Sequence, residues 1–149
     1  MKAFRIIFAV LLLAAFGNGY AQTKKTPRPV LTTLIGQYKD SVQLSAEETE
    51  KVIVMPLRIV DDKKVVYTIA SYQFLYRRNV VTEDEQTGKI TPTTSIASQR
   101  FTSTPLPDYW IKPIKGQLKP GEVLWFFDII VKDPNGKVSF APDVKIKVI

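Results

Sequence analysis

The sequence predicts a mainly β fold, in detail an antiparallel β-sandwich of the immunoglobulin-like kind with one or two short helices. About six to eight segments read as strands because β-branched and aromatic residues are enriched in them. Clusters of Gly, Pro, Asn and Asp separate these segments and are typical of turns. No helical pattern of about ten or more residues links successive strands, so a parallel α/β sheet is disfavoured.

The composition removes several classes of chemistry. The 149-residue chain contains no Cys and no His, is 45% hydrophobic and carries a formal net charge of +7. Without these residue types there is no Ser-His-Asp or Cys-His nucleophile, no His base, no thiolate or imidazole metal site, and no disulfide. What remains is carboxylate, Lys or Tyr chemistry, or no chemistry. We predict no catalytic, cofactor-binding or metal-binding residues, and a core that is stable through burial alone.

Residues 1–21 have the order of a secretory signal peptide. Two basic residues precede an apolar run, residues 6–16, and small residues at Gly19 and Ala21 suit a cleavage site. A membrane-spanning helix needs about 20 apolar residues, so cleavage after Ala21 is favoured over an anchor. We expect a periplasmic or secreted protein with no stable membrane anchor after cleavage.

The remaining chain is predicted to hold a flexible N-terminal segment, residues 22–29, and a single β-rich domain, residues 30–149. The segment is polar, basic and punctuated by Pro. Basic residues are spread along the domain instead of clustering with aromatic residues, so nucleic acid is not expected as a partner. A basic solvated surface suits acidic partners.

The first part of the domain predicts a strand and then a short helix. Residues 30–35 form the strand. Ser45 and Glu48 have the spacing of a capping box, in which each side chain accepts a hydrogen bond from the other residue's backbone N–H. A helix over residues 46–52 follows, and it is short because β-branched residues and Pro56 come next.

A hairpin is predicted from residues 55–60 and 65–76. Its first strand places Met55, Leu57 and Ile59 on one face, and Pro56 argues that this strand is an edge or begins at a bulge. The second strand contains no Gly or Pro and is long enough to cross a whole sheet.

The middle of the chain, residues 77–104, carries the weakest pattern. Short strands over residues 79–82 and 89–91 around a mobile loop are predicted there. The Pro-rich stretch that follows allows a helix with Asp108 as its N-cap, which Pro113 would limit or kink.

The C-terminal block gives the clearest pattern. Both faces of residues 122–132 are apolar, which predicts a central strand. Asp133 and Gly136 frame a turn, because Pro sets φ at its second position and Gly tolerates a positive φ. Residues 137–140 are predicted to form the partner strand. Residues 144–148 alternate apolar residues with Lys, which predicts a last strand with one face exposed to solvent.

Asp128 is the most unusual single residue, because it lies within the predicted central strand on a face that otherwise looks apolar. A buried carboxylate would have a raised pKa and would be a candidate acid or base. The structural alternative is that it pairs with an Arg, accepts backbone donors, or lies on a partly covered face. The structural alternative is favoured.

The acidic triplet Glu83, Asp84 and Glu85 has two interpretations. Its oxygens would suit calcium, although the alternating ligand spacing of a calcium loop is missing. The favoured interpretation is a solvated loop that balances the charge of Arg77 and Arg78.

Aromatic residues supply the candidate partner surface. Trp110 and Tyr109 stand in a Pro-rich connection instead of a strand, and with Arg77 and Arg78 they are the predicted partner-contacting residues. The same aromatic area would serve a different class of function, carbohydrate or small-ligand binding centred on Trp110.

Taken in order, three segments resemble a known family. They are SAEE, VIVMPLRIVDDKKVVYTIASYQF and LKPGEVLWFFDIIVKDPNGKVSFAPDVKIKV, and the resemblance extends over about residues 30–149. This order is similar to the C-terminal domain of the GldM family, periplasmic components of the type IX secretion and gliding machinery of the Bacteroidetes. The strongest matches are the turn and strand positions Gly121, Asp128, Asp133 and Gly136.

The resemblance implies a β-rich module that contacts envelope proteins and has no catalytic residues. This sequence departs from full-length family members, because a cleavable leader stands where their membrane helix would be and their helical bundle is missing. We therefore expect an exported, non-enzymatic protein-interaction module of the bacterial envelope, with an envelope protein as partner and a homodimer as an option. The alternative expectation is a secreted carbohydrate- or small-ligand-binding β-sandwich.

Overall fold

The computed structural model describes residues 27–149, so the predicted signal peptide, residues 1–21, lies outside the described residues. Within that range neither helix has the length and apolar character needed to cross a membrane. The strands are β1 (Leu31–Ile35), β2 (Tyr38–Lys39), β3 (Ser41–Leu44), β4 (Leu57–Asp61), β5 (Val66–Glu83), β6 (Ile90–Phe101), β7 (Val123–Lys132), β8 (Val138–Ala141) and β9 (Val144–Val148). The helices are α1 (Ala46–Val52) and α2 (Asp108–Ile114).

The strands form one mixed sheet in the order β2-β1-β4-β5-β7-β9-β3, with β6 added to β5 and β8 added to β7. The sheet curls on itself, so that β1 approaches β8 and β9. The prediction of a mainly β fold with two short helices is confirmed. Not every pair is antiparallel, since β3 runs parallel to β9, and an immunoglobulin-like sandwich is not confirmed.

The predicted capping box opens α1. The backbone N–H of Glu48 donates to Ser45 Oγ over 3.2 Å, and the Ser45 N–H donates to Glu48 Oε2 over 3.0 Å. Both donors are groups that a helix start leaves without an intrahelical partner. The predicted bounds of this helix, residues 46–52, are confirmed.

Helix α2 begins differently from the prediction. Its N-cap is Pro107, with Asp108 as the first helical residue and no side-chain cap. Pro107 occupies the extended N-cap conformation, which moves Asp108 into the first turn. Pro113 lies inside the helix, which ends one residue later at Ile114, as a Pro-limited helix should.

Strand β4 is not an edge strand, contrary to the prediction from Pro56. It lies between β1 and β5. Pro56 precedes the first residue of the strand, so its missing N–H interrupts no ladder hydrogen bond. Leu57 and Ile59 are buried as predicted, but Met55 is 39% exposed because it also lies outside the strand.

The largest difference from the prediction lies in residues 77–104. Instead of two short strands around a mobile loop, β5 continues to Glu83 and pairs with the 12-residue β6. The turn between them is stabilised by Asp84, whose Oδ1 accepts the backbone N–H groups of Gln86 and Thr87 over 3.0 and 2.8 Å. The positive φ of Gly88, +65°, completes this turn.

The core lies on one face of the sheet, which we call the inner face. Tyr72, Phe74 and Phe126 contribute its largest fully buried rings, and α2 covers part of it with Ile111 and Ile114. β7 is central, as predicted, because β5 pairs with one side of it and β8 and β9 share the other. The alternation predicted for the last strand is confirmed, with Val144, Ile146 and Val148 buried and both Lys residues exposed.

Candidate functional site

A cleft of about 280 Å³ separates α2 from the β5–β6 hairpin. We call it the α2 cleft. Its hairpin wall consists of Tyr76, Arg78, Ser95 and Ala97, and its helix wall of Tyr109, Trp110, Pro113 and Ile114. The cleft therefore brings together three of the four residues predicted as a partner surface: Arg78, Tyr109 and Trp110.

The helix wall is held in place by Gln99 of β6. Its side-chain amide donates to the Tyr109 hydroxyl over 3.1 Å, and its carbonyl accepts from Trp110 Nε1 over 2.8 Å. Trp110 also packs edge-on against Phe74 and Phe101, with ring centroids 5.3 and 6.1 Å apart. These contacts make Trp110 partly a core residue, whereas Tyr109 stays 61% exposed at the rim of the cleft.

Arg77, the fourth predicted partner residue, does not belong to this cleft. Successive residues of a strand point to opposite faces, so Arg77 and Arg78 diverge. Arg77 donates to the carbonyl oxygen of Gly121 over 3.4 Å. Within residues 27–149, no carboxylate forms an ion pair with Arg78.

The floor of the cleft near Tyr76 is anchored by a buried carboxylate. Glu122 is 2% exposed, and it accepts hydrogen bonds from the Tyr76 hydroxyl (2.6 Å) and from the backbone N–H groups of Asn79 (3.0 Å) and Lys119 (3.2 Å). Burial and the hydrogen bond to Glu122 raise the pKa of Tyr76 well above its usual value. Tyr76 therefore stays a neutral donor at any physiological pH.

Beside the cleft lies an unpaired strand edge. β6 pairs with β5 on one side, and among the described residues no strand pairs with its other side, which we call the β6 edge. The remaining outer strands are shorter: β2 has 2 residues, and β3 and β8 have 4 each. Pro92 and Arg100 lie near the two ends of β6. Residues 93–99 between them contain no Pro, no Gly and no charged residue.

Asp128 lies at an irregularity of β7 and not in a catalytic cleft. Its φ is +48°, and the β5–β7 register shifts beside it, between Ser71 and Gln73. Its carboxylate forms an ion pair with Arg100 of β6, whose guanidinium also donates to Ser71 Oγ over 2.8 Å. Both charged side chains are about 40% exposed, at 39% and 41%. Two of the structural alternatives for Asp128 are observed, since it pairs with an Arg and lies on a partly covered face.

The other signature residues form turns. Asp133 Oδ1 accepts the backbone N–H groups of Asn135 and Lys137, each over 2.8 Å, and Gly136 has a φ of +82°. Gly121 has a φ of +89°, and a Cβ there would lie 3.2 Å from Asn79 Nδ2. Its N–H donates to the carbonyl of Val148 over 2.8 Å, which ties the start of β7 to the end of β9.

The acidic triplet lies at the tip of the hairpin. Hydrogen bonds from the Thr87 and Gln86 N–H groups lower the pKa of Asp84, because they favour its charged form. Across residues 27–149, no group of three or more acidic side chains is arranged to hold a metal ion.

A larger groove of about 720 Å³ lies between the start of β1 and the β7–β8 turn. Its lining mixes Arg28, Asp133 and Lys137 with apolar groups such as Phe140, which is 70% exposed. None of the residues predicted as a partner surface lies in it.

A scan against protein-family models found no match for this chain, and a search of curated proteins found none either.

Sequence reasoning missed several residues of the site, among them Ser95, Ala97, Gln99 and Glu122. The first three fall in a Ser/Thr-rich stretch whose strand character shows only through its pairing with β5. Glu122 carried a usable signal, since it is an acidic residue that directly precedes the largely apolar strand β7. Such a residue is buried at an acceptable cost only if several donors meet it.

Proposed function

We propose that this chain is an exported protein-interaction module of the bacterial cell envelope, periplasmic or secreted, which acts by binding and not by catalysis. We further propose that it is related to the C-terminal domain of the GldM family and serves gliding motility or type IX secretion. The leader pattern of residues 1–21 and the signature positions Gly121, Asp128, Asp133 and Gly136 support this proposal.

The observation that carries the proposal is the β6 edge. A row of unpaired backbone N–H and C=O groups is a template for another strand, and natural proteins usually protect such edges with Pro, Lys, bulges or shortness. Residues 93–99 contain no Pro, Lys or bulge. The strand is not short either, since it is the longest outer strand among the described residues. Strand addition is a common mode of peptide recognition, in which the backbone supplies affinity and neighbouring pockets supply specificity.

The proposed occupant is an extended segment of a partner protein. Only a strand carries alternating donors and acceptors at the spacing of the β6 edge. A second copy of this chain fits less well, because residues 93–99 of that copy contain no acid to meet Arg78. A homodimer through β6 is therefore an outcome of the test and not the proposal.

Carbohydrate binding has weaker support from the geometry. A sugar platform needs an open ring face with free polar groups beside it. Trp110 packs against Phe74 and Phe101, and its indole N–H already donates to Gln99. Of the aromatic residues that line the α2 cleft, Tyr109 alone is well exposed.

The test selects binding peptides and asks how they bind. The purified protein is used to select from a random library of displayed peptides long enough to pair with β6, and the selected peptides are then synthesised in two N-methylated forms. One form is methylated at the odd positions of the peptide and the other at the even positions. In an added strand only alternate N–H groups face β6. One form should therefore lose binding while the other keeps it.

Several results would overturn the proposal. They are the absence of any selected peptide, equal sensitivity to both N-methylated forms, or concentration-dependent dimerisation that peptides cannot inhibit. Glycan binding abolished by Trp110→Ala, with Trp125→Ala as the matched control on the other face of the sheet, would favour the carbohydrate alternative instead.

A further inference from the structure

We propose that the α2 cleft selects, within the strand bound at the β6 edge, an acidic side chain placed two residues from an apolar side chain. This inference rests on the proposed function and adds the chemistry of the partner segment to it. It is carried by the side chains that lie between the edge and the cleft.

Small residues connect the edge with the cleft. Ser95 and Ala97 line the cleft, and in register they stand opposite Arg78 and Tyr76 of β5. Their side chains are the only β6 side chains in the cleft lining. Because both are small, a side chain from a strand added beside β6 can extend over them into the cleft.

The charge of the cleft selects an acid. Arg78 is its only charged lining residue, and within residues 27–149 no carboxylate pairs with it. Adjacent strands lie about 4.8 Å apart, so an added strand would lie about 9.6 Å from β5. An Arg side chain and a carboxylate side chain together span that distance across the small Ser95.

The rest of the cleft selects an apolar group. Beyond Ala97 the lining consists of Tyr109, Trp110, Pro113 and Ile114. A volume of about 280 Å³ suits one side chain and not an extended ligand. Ser95 and Ala97 are two residues apart on the same face, so the acidic and apolar residues of the partner must also be two apart.

The experiment uses the peptides selected above, which should be enriched in an acidic residue two positions from an aliphatic or aromatic one. The tightest binder is synthesised with its acid in place, replaced by Lys, and moved by one position. Moving the acid by one position turns it to the other face. Each peptide is titrated against the unaltered protein and against Arg78→Glu and Arg77→Glu.

Arg77→Glu is the matched control, because it makes the same charge change at the adjacent residue, whose side chain lies on the opposite face of the strand. We expect Arg78→Glu to weaken the acidic peptide by about tenfold or more and to improve the Lys peptide. Arg77→Glu should do neither. Moving the acid by one position should cost as much as replacing it.

The outcomes separate this inference from the proposed function. If both Arg variants change binding equally, or the shifted acid binds as well, the selection by the cleft is wrong, while the N-methylation result still decides strand addition. If no peptide binds the unaltered protein, the proposed function fails first. Circular dichroism confirms that the variants fold, as expected for substitutions at exposed residues.

Discussion

The two halves of β5 share one backbone ladder but lie in different environments. In the inner half, Tyr72, Phe74 and Tyr76 are buried, and the strand pairs with β6 on one side and β7 on the other. In the outer half, residues 80–83 pair with β6 alone, and only Val80 is even half-buried. We call this outer part of the hairpin, residues 80–93, the ribbon.

The two halves of β5 show that a strand can be fully paired without being buried. An isolated two-stranded ribbon is marginally stable in water, so the ribbon depends on the buried half to hold its register. Glu122 stands at the junction, because it accepts both the Tyr76 hydroxyl of the buried half and the Asn79 N–H where β7 no longer pairs with β5. The buried carboxylate of Glu122 thus takes the place of a β7 carbonyl as acceptor for β5, just beyond the last residue pair of β5 and β7.

Removing one apolar side chain from each half of β5 should have very different effects on stability. Phe74→Ala deletes a ring that is 0% exposed and lies 4.9 Å from the ring of Phe126. We expect it to lower the free energy of unfolding by about 3–5 kcal/mol, as Phe-to-Ala changes in cores do. Urea denaturation followed by tryptophan fluorescence measures the change.

Val81→Ala is the control in the ribbon. Val81 is 67% exposed, and a surface change of this kind should alter the free energy of unfolding by no more than about 0.5 kcal/mol. A comparable loss in both variants would contradict the division of β5 into two halves.

Alkaline pH should lower the free energy of unfolding by an intermediate amount, through the buried tyrosines of the inner half of β5. Burial raises the pKa of Tyr72 to about 12, and burial with the Glu122 bond raises the pKa of Tyr76 further. Below pH 10 both phenols are protonated in the folded and unfolded states. Above pH 10 the unfolded chain releases these protons first, so stability falls as pH rises. For Tyr72 the loss reaches about 2 kcal/mol by pH 12.

Urea midpoints between pH 8 and pH 11 measure this slope. Tyr72→Phe and Tyr76→Phe should each flatten it, although Tyr76→Phe also lowers stability at neutral pH because Glu122 loses a donor. Val81→Ala, which removes no titratable group, is the control and should leave the slope unchanged. A stability that is flat to pH 11 would show that the two phenols are not protected as their burial requires.

Removing the charge of Asp128, in β7 beside the buried half of β5, is expected to have a small effect. Its ion pair with Arg100 is about 40% exposed on both sides, and pairs of this kind contribute about 0–1 kcal/mol. Asp128→Asn keeps a side chain that tolerates positive φ and should cost no more than about 1 kcal/mol. Asp128→Val should cost about 1–3 kcal/mol, since a β-branched residue is strained at a φ of +48°.

The same pair of variants tests the catalytic alternative for Asp128. Asp128→Asn removes the acid at a cost of no more than about 1 kcal/mol. A binding or catalytic activity that disappears in this variant, while the variant remains fully folded under the assay conditions, would contradict a purely structural role.

Local patterns predicted the parts of the fold that depend on local physics. The capping box of Ser45 and Glu48 fixes α1, and the alternation in residues 144–148 fixes β9, because both signals lie within a few residues. β6 gave no comparable signal. Its Ser and Thr residues are nearly all exposed, so no apolar period marks them, and only pairing with β5 makes them a strand.

The candidate site was predictable in its parts but not in its assembly. Tyr109, Trp110 and Arg78 are conspicuous in the sequence because they are aromatic or charged outside the obvious core. Their convergence depends on the register that places Ser95 opposite Arg78, and on Gln99, which holds α2. This register follows from a long hairpin whose turn lies at residues 84–89. The hairpin was not predicted, because its second strand contains Pro and Thr residues and no apolar alternation.

The parallel pairing of β3 with β9 sets an order of assembly. Ser41 stands opposite Lys145, so β3 gains its neighbour in the sheet only when two segments separated by most of the described chain meet. Contacts between such distant segments form late, because the loop between them must lose its entropy first. The hairpins β5–β6 and β7–β8 can therefore form early, whereas the edge of the sheet that carries β3 closes only after β9 has docked on β7. During synthesis the chain would remain open at that edge until β9 had emerged.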